Sequence, residues 1–123
     1  MSNNKPFRVS DRIMSFKFAF EGIFSFFKTE HNAWIHCVAA VVVIAGGFIF
    51  KVNSTEWCWL IVAIALVMIT EMLNTAIEIL CNVVSSEIHP KIKKIKDISA
   101  GAVLISALAA IAIGMFVFIP KLL

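Results

Sequence analysis

The sequence predicts an all-α membrane protein, with an N-terminal amphipathic surface helix followed by three transmembrane helices. Three observations carry this. Hydrophobic residues make up 60% of the 123 residues and charged ones only 15%, which is far from the balance of a soluble domain. Three apolar runs are long enough to cross a bilayer. The breaks before and between them are short and polar. So small a chain could not hide this much apolar surface from water. Residues 1–123 are therefore expected to form one integral membrane domain.

The first element covers about residues 10–28, SDRIMSFKFAFEGIFSFFK. At helical spacing Ser10, Lys17, Glu21, Ser25 and Lys28 share one stripe. Ile13, Phe16, Phe20, Ile23, Phe24 and Phe27 lie opposite. A helix of this kind rests in the membrane interface, polar face to water and aromatic face in the acyl boundary. The N-terminus does not read as a signal peptide, because Lys5, Arg8 and Arg12 precede no clean apolar run ending in small residues.

KTEHN (28–32) breaks the chain, and residues 33–50 form the first span. KVNSTE (51–56) is a short loop in which Ser54 signals a helix cap. Residues 57–84 form the second span. At ~1.5 Å per residue its length is ~40 Å, beyond the ~30 Å hydrocarbon core, so its last turns should leave the membrane. A polar loop, SSEIHPKIKKIK (85–96), leads to a third span at 98–119 that Pro120 ends. The stripe Ala102, Ser106, Ala110 and Gly114 on this span would let another helix approach closely.

Charge sets the orientation. Lys5, Arg8, Arg12, Lys17, Lys28, Lys91, Lys93, Lys94 and Lys96 lie on one side, and only Lys51 and Lys121 on the other. The positive-inside rule then makes the N-terminus cytoplasmic. The net charge of +3 is accounted for by topology, and no nucleic-acid partner is expected. Cys37, Cys58 and Cys81 are far apart, without CxxC spacing, and read as small packing residues.

The second span carries the chemistry. In TEMLNTAIEILCN (70–82), Glu71, Asn74, Glu78 and Asn82 fall within roughly 80° of one another on a helix of 3.6 residues per turn. Charge in a span is costly and usually faces protein or a water-filled site. A polar zipper between helices is one explanation. A functional site is the other, favoured because the groups are acidic and have no basic partner on their own helix. Glu30, Lys96 and Asp97 flank neighbouring spans on the same side. Paired carboxylates can hold Mg²⁺ shared with phosphates, a Lys can neutralise phosphate charge, and a carboxylate taken out of water is a stronger base. These are parts for phosphoryl transfer to a membrane molecule. Taken singly, Asp97 reads equally as a helix N-terminal residue and Lys96 as a topology charge. No P-loop pattern is present. His31, His36 and His89 lack metal-ligand spacing, and His36 reads as a hydrogen-bonded residue of the membrane edge.

EMLNTAIE (71–78) followed by KDISAGAVL (96–104) resembles the bacterial diacylglycerol kinase family of small integral membrane lipid kinases, as do SFKFAFEGI (15–23) and EHNAWIH (30–36). The likeness runs from about residue 12 to 120. It implies a homotrimer in the bacterial inner membrane, with active sites at the cytoplasmic interface shared between subunits. It implies transfer of the γ-phosphate of ATP, with Mg²⁺, to a lipid alcohol. By motif position, Glu71 would be the catalytic base and Asn74 its support. Glu30 and Glu78 would hold the metal. Lys96, Asp97, Glu87 and His89 would bind the nucleotide. Two departures stand out. Many members have Asp where this chain has Asn82, and some have Tyr-Ser where it has Phe18-Ala19. EHNAWIH, AGAVL and GMFVFIPK look more like the undecaprenol kinase branch, with diacylglycerol the other candidate lipid. The alternative of another class is a non-enzymatic oligomeric channel or assembly subunit whose acidic face lines a pore. Crowding of the acidic groups toward one end speaks against it.

Overall fold

Four α-helices follow one another in a computed structural model that describes residues 4–85, 87 and 89–123. They are α1 (Val9–Thr29), α2 (His31–Ile49), α3 (Ser54–Val84) and α4 (Pro90–Leu122). The chain divides into two units, Met1–His31 and Asn32–Leu123.

The first unit is essentially α1. Its aromatic stripe is bare, with Phe16, Phe20 and Phe24 all exposed, as an interfacial helix requires. Phe26, outside the apolar set expected from spacing, is its one buried residue. Its ring meets Phe27 edge to face, with centroids 5.4 Å apart.

The second unit holds α2, α3 and α4, each long and apolar enough to cross a membrane. α3 and α4 are the closely packed antiparallel pair. Side chains bridge them along their length, from Glu56–Lys121 (3.0 Å) through Thr70–Ser106 (2.7 Å) and Asn74–Ser99 (2.7 Å) to Asn82–Lys96 (2.9 Å). The buried face of α3 runs Leu60, Ala63, Val67, Glu71, Thr75 and Cys81. From Leu60 to Thr75 the steps are three or four residues, helical spacing along one face, so Glu71 continues the apolar seam.

Several boundaries differ from those read in sequence. α3 begins three residues before the expected Trp57, and its cap is Asn53, not Ser54. Asn53 Oδ1 accepts from Glu56 N–H at 2.8 Å, and Glu56 Oε1 accepts from Asn53 N–H at 3.0 Å. This reciprocal pair satisfies two amide donors that the first turn leaves free, which Ser54 inside the helix does not. The larger correction is α4, which starts at Pro90 instead of Ile98. Much of the expected 85–96 loop is therefore helix; Ser86 and Ile88 lie outside the described residues. Local chemistry explains it. His89 Nδ1 caps Lys91 N–H at 3.1 Å, Pro90 stands where a missing N–H is harmless, and the lysines are good helix formers. Asp97 consequently sits two turns into the helix and not at its N-terminus. Pro120 does not end α4, which continues to Leu122. In a last turn the proline forfeits only one hydrogen bond.

α2 ends in a paired C-terminal motif. Val52 N–H reaches Gly47 O at 3.1 Å and Lys51 N–H reaches Phe48 O at 3.3 Å, with Lys51 at φ 53°. Both bonds satisfy carbonyls that the helix end orphans, with Lys in the left-handed position usually given to glycine. Gly47 is there for close approach, because a Cβ would lie 2.5 Å from the Trp57 ring. Val52, Leu60 and Val117 form the core at this end, with Trp57, Ile113 and Phe118 against it. Cys37, Cys58 and Cys81 are all free thiols.

Candidate functional site

The polar stripe of α3 sits toward the opposite end of the unit from that core, and Glu71, Asn74 and Asn82 each find a partner on another helix. Glu71 turns toward α2, where His36 Nε2 lies 2.7 Å from its Oε1. The side chains are 8% and 24% exposed, so this contact is largely withdrawn from solvent. A carboxylate only accepts hydrogen bonds, so ionised Glu71 requires the Nε2–H form of the imidazole. Glu71 thus has the partner its own helix does not offer. Sequence spacing could not reveal it, since His36 is 35 residues away.

One turn on, Asn74 faces α4. Ser99 Oγ donates to Asn74 Oδ1 at 2.7 Å, and Asn74 Nδ2 donates to Glu78 Oε1 at 3.2 Å. Ser99 is 7% exposed and Ser106 3% exposed. Neither is conspicuous in the sequence, although they stand seven residues apart on the small-residue face of α4. The chain Ser99–Asn74–Glu78 uses both ends of the Asn74 amide and leaves the second oxygen of Glu78 without a side-chain donor among the described residues.

Beyond Glu78 the polar groups surround an open cavity of about 250 Å³. Glu87, His89, Lys96 and Asp97, the four residues singled out for nucleotide, all line it, together with Asn82 and Lys93. Lys96 Nζ donates to Asn82 Oδ1 at 2.9 Å, a neutral acceptor that leaves the ammonium charge uncompensated. Lys93 pairs with Asp97 at 2.6 Å, one turn apart on an exposed face, where such pairs contribute little stability. Glu87 is exposed, and its N–H reaches Ser85 Oγ at 3.2 Å. His89 spends Nδ1 on the α4 cap.

Glu30 closes α1 in the first unit, its N–H bonded to Phe26 O at 3.0 Å, while Glu78 belongs to the second. Among the described residues no three His, Cys, Asp or Glu side chains gather as a metal cage.

An apolar cavity of about 360 Å³ separates α2 from α3 and α4 in mid-helix, and His36 forms its one polar wall. α2 is fastened at both ends of it, by Gly47 against Trp57 and by His36 against Glu71.

Residues 17–118 match the family described as prokaryotic diacylglycerol kinase. An undecaprenol kinase of Bacillus subtilis is 37% identical over 108 residues, 88% of either chain. A diacylglycerol kinase of Synechocystis is 35% identical over 112 residues, 90% of this chain and 64% of that protein.

Proposed function

The chain belongs to the prokaryotic diacylglycerol kinase family and is a lipid kinase, and from that premise we propose that it moves the γ-phosphate of ATP to undecaprenol at the cytoplasmic face of a bacterial inner membrane. Diacylglycerol is the second substrate to be tried, given the Synechocystis relative. The observation that carries the reading is the graded line Glu71, Asn74, Glu78, Lys96 along one end of the α3–α4 pair. A buried carboxylate stands within the long apolar helix α3, and an open polar cavity that carries Lys96 stands beyond it.

The chemistry follows from that order. Glu71 takes the proton of the lipid hydroxyl. The hydroxyl oxygen then forms a bond to the γ-phosphorus, the bond from that phosphorus to the bridging oxygen breaks, and ADP departs with the electron pair. Burial keeps competing water from Glu71. Lys96 carries positive charge to the phosphates, and its neutral partner Asn82 does not cancel it. Asn74, held by Ser99, orients Glu78. Glu78 with Glu30 would hold Mg²⁺, which when bound neutralises charge building on the phosphate oxygens. Glu71 and Glu78 are seven residues apart, ~10 Å along the helix, which is room for a hydroxyl and a phosphoryl group between them.

The cavity at Lys96, about 250 Å³, falls below the ~300–1,000 Å³ of complete ligand sites. It holds part of a nucleotide, and the remainder of the site comes from a neighbouring subunit of a homotrimer.

The test is direct. Purified protein in mixed micelles receives radiolabelled ATP, Mg²⁺ and each lipid alcohol in turn. Label is expected in undecaprenyl phosphate, at higher kcat/KM than in phosphatidic acid. Label in neither lipid overturns the reading, and label preferentially in phosphatidic acid overturns the choice of lipid.

A further inference from the structure

We propose that His36 is a positioning residue for the reaction, holding the Glu71 carboxylate through Nε2–H so that its free oxygen faces the lipid hydroxyl. The inference rests on Glu71 being the proton acceptor.

Three observations carry it. The 2.7 Å contact is between side chains of different helices, so it depends on tertiary structure and not on helix spacing. It has little competition from water, because Glu71 is 8% exposed and His36 lines an otherwise apolar cavity. A hydrogen bond to an ionised group in such surroundings is strong and directional. Finally, it is the one side-chain hydrogen bond that Glu71 makes among the described residues, so His36 alone determines which oxygen is engaged. With Oε1 committed to His36, Oε2 is left to accept the substrate proton. A base with two equivalent, rotating oxygens would lose the alignment that makes proton transfer effective.

A structural role and a positioning role make different predictions. A histidine that only joins α2 to α3 could be replaced with loss of stability and proportional loss of active protein. A positioning histidine sets the rate per active molecule and leaves substrate binding alone.

The experiment compares His36→Leu, His36→Phe and His36→Gln in mixed micelles with ATP, Mg²⁺ and the lipid alcohol, measuring kcat, both KM values and thermal stability. Leu and Phe remove the donor. Gln keeps an N–H near the place of Nε2. His36→Leu is expected to lower kcat by roughly tenfold to a hundredfold, with both KM values within about twofold of wild type. His36→Gln should recover most of that loss. In a Glu71→Gln background, His36→Leu should lower the residual rate no further, as for groups acting as one unit. If His36→Leu does not accumulate as folded protein, His36→Phe keeps ring and bulk and gives the same comparison. Wild-type kcat in either donor-less variant overturns the proposal, as does equal loss in Gln and Leu at unchanged thermal stability. Glu71→Gln alone separates the two layers. If it is inactive while His36→Leu is fully active, only the positioning role falls; if Glu71→Gln is fully active, the base assignment itself falls.

Discussion

The two ends of the α2–α4 unit are built on opposite plans. At the Lys51 end, the chain caps the end of α2 and the start of α3 and packs what lies between. Asn53 and Glu56 cap α3 reciprocally, the α2 terminus folds back on Gly47 and Phe48, and Lys121 pairs with Glu56. Leu60, at 1% exposure, fills the space beneath them. At the other end the helices are joined by single polar contacts, one per turn, with cavities beside them. The lesson is a division of labour. One end supplies packing that fixes the three helices, so the other can keep polar groups half-satisfied and accessible, at a cost in stability the first end offsets.

That division can be broken from either side. The largest expected effect is Glu71→Gln, which should lower kcat by ~10²–10⁴-fold, the usual contribution of a general base. Its thermal stability should stay at or above wild type, since a charge is removed from a membrane span. Loss of activity together with collapse of stability would instead make Glu71 a structural residue. Leu60→Ala is the mirror experiment. It should cost about 2–5 kcal/mol by opening a cavity, read as faster inactivation on heating, with kcat unchanged at low temperature. A kcat that falls before the protein unfolds would show the ends to be coupled.

Smaller changes sharpen the contrast. Asn82→Asp would replace the neutral acceptor of Lys96 by a charge that competes with phosphate for the ammonium. KM for ATP should rise by a few-fold, about 1 kcal/mol, with the effect shrinking in high salt. A fall in KM would mean that the added carboxylate serves the metal instead. Smallest is Lys51→Gly, which relieves a left-handed lysine and should stabilise by up to ~1 kcal/mol, seen as a slower thermal inactivation rate at unchanged kcat.

Much of this was legible before any coordinates. The four helices, three of them long and apolar enough to cross a membrane, and the single polar face of α3 follow from periodicity and apolar length, because lipid leaves backbone groups no partners outside a helix. Glu87, His89, Lys96 and Asp97, which only the family resemblance brought together, line one cavity. Two things were not legible. One was the helical start of α4. Lys91, Lys93, Lys94 and Lys96 read as topology charges, which hid that the same residues favour helix and that His89 and Pro90 open one. The other was the Glu71 partner. Spacing along a helix reveals what shares a face, and His36 shares none with Glu71. Only the packing of α2 across α3 joins them.

The early start of α4 has a consequence of its own. From Pro90 to Leu122 the backbone is one continuous helix. Lys96, at the cavity rim, and Ser106, bonded to Thr70 in mid-span, are therefore ten residues apart on a single rod, at a separation of ~15 Å along its axis. A flexible loop at 85–96 would have left Lys96 and Asp97 free to wander relative to Glu71. A rod fixes them at one set height along it, so that under the proposed reaction the distance between base and phosphate would be built into the helix.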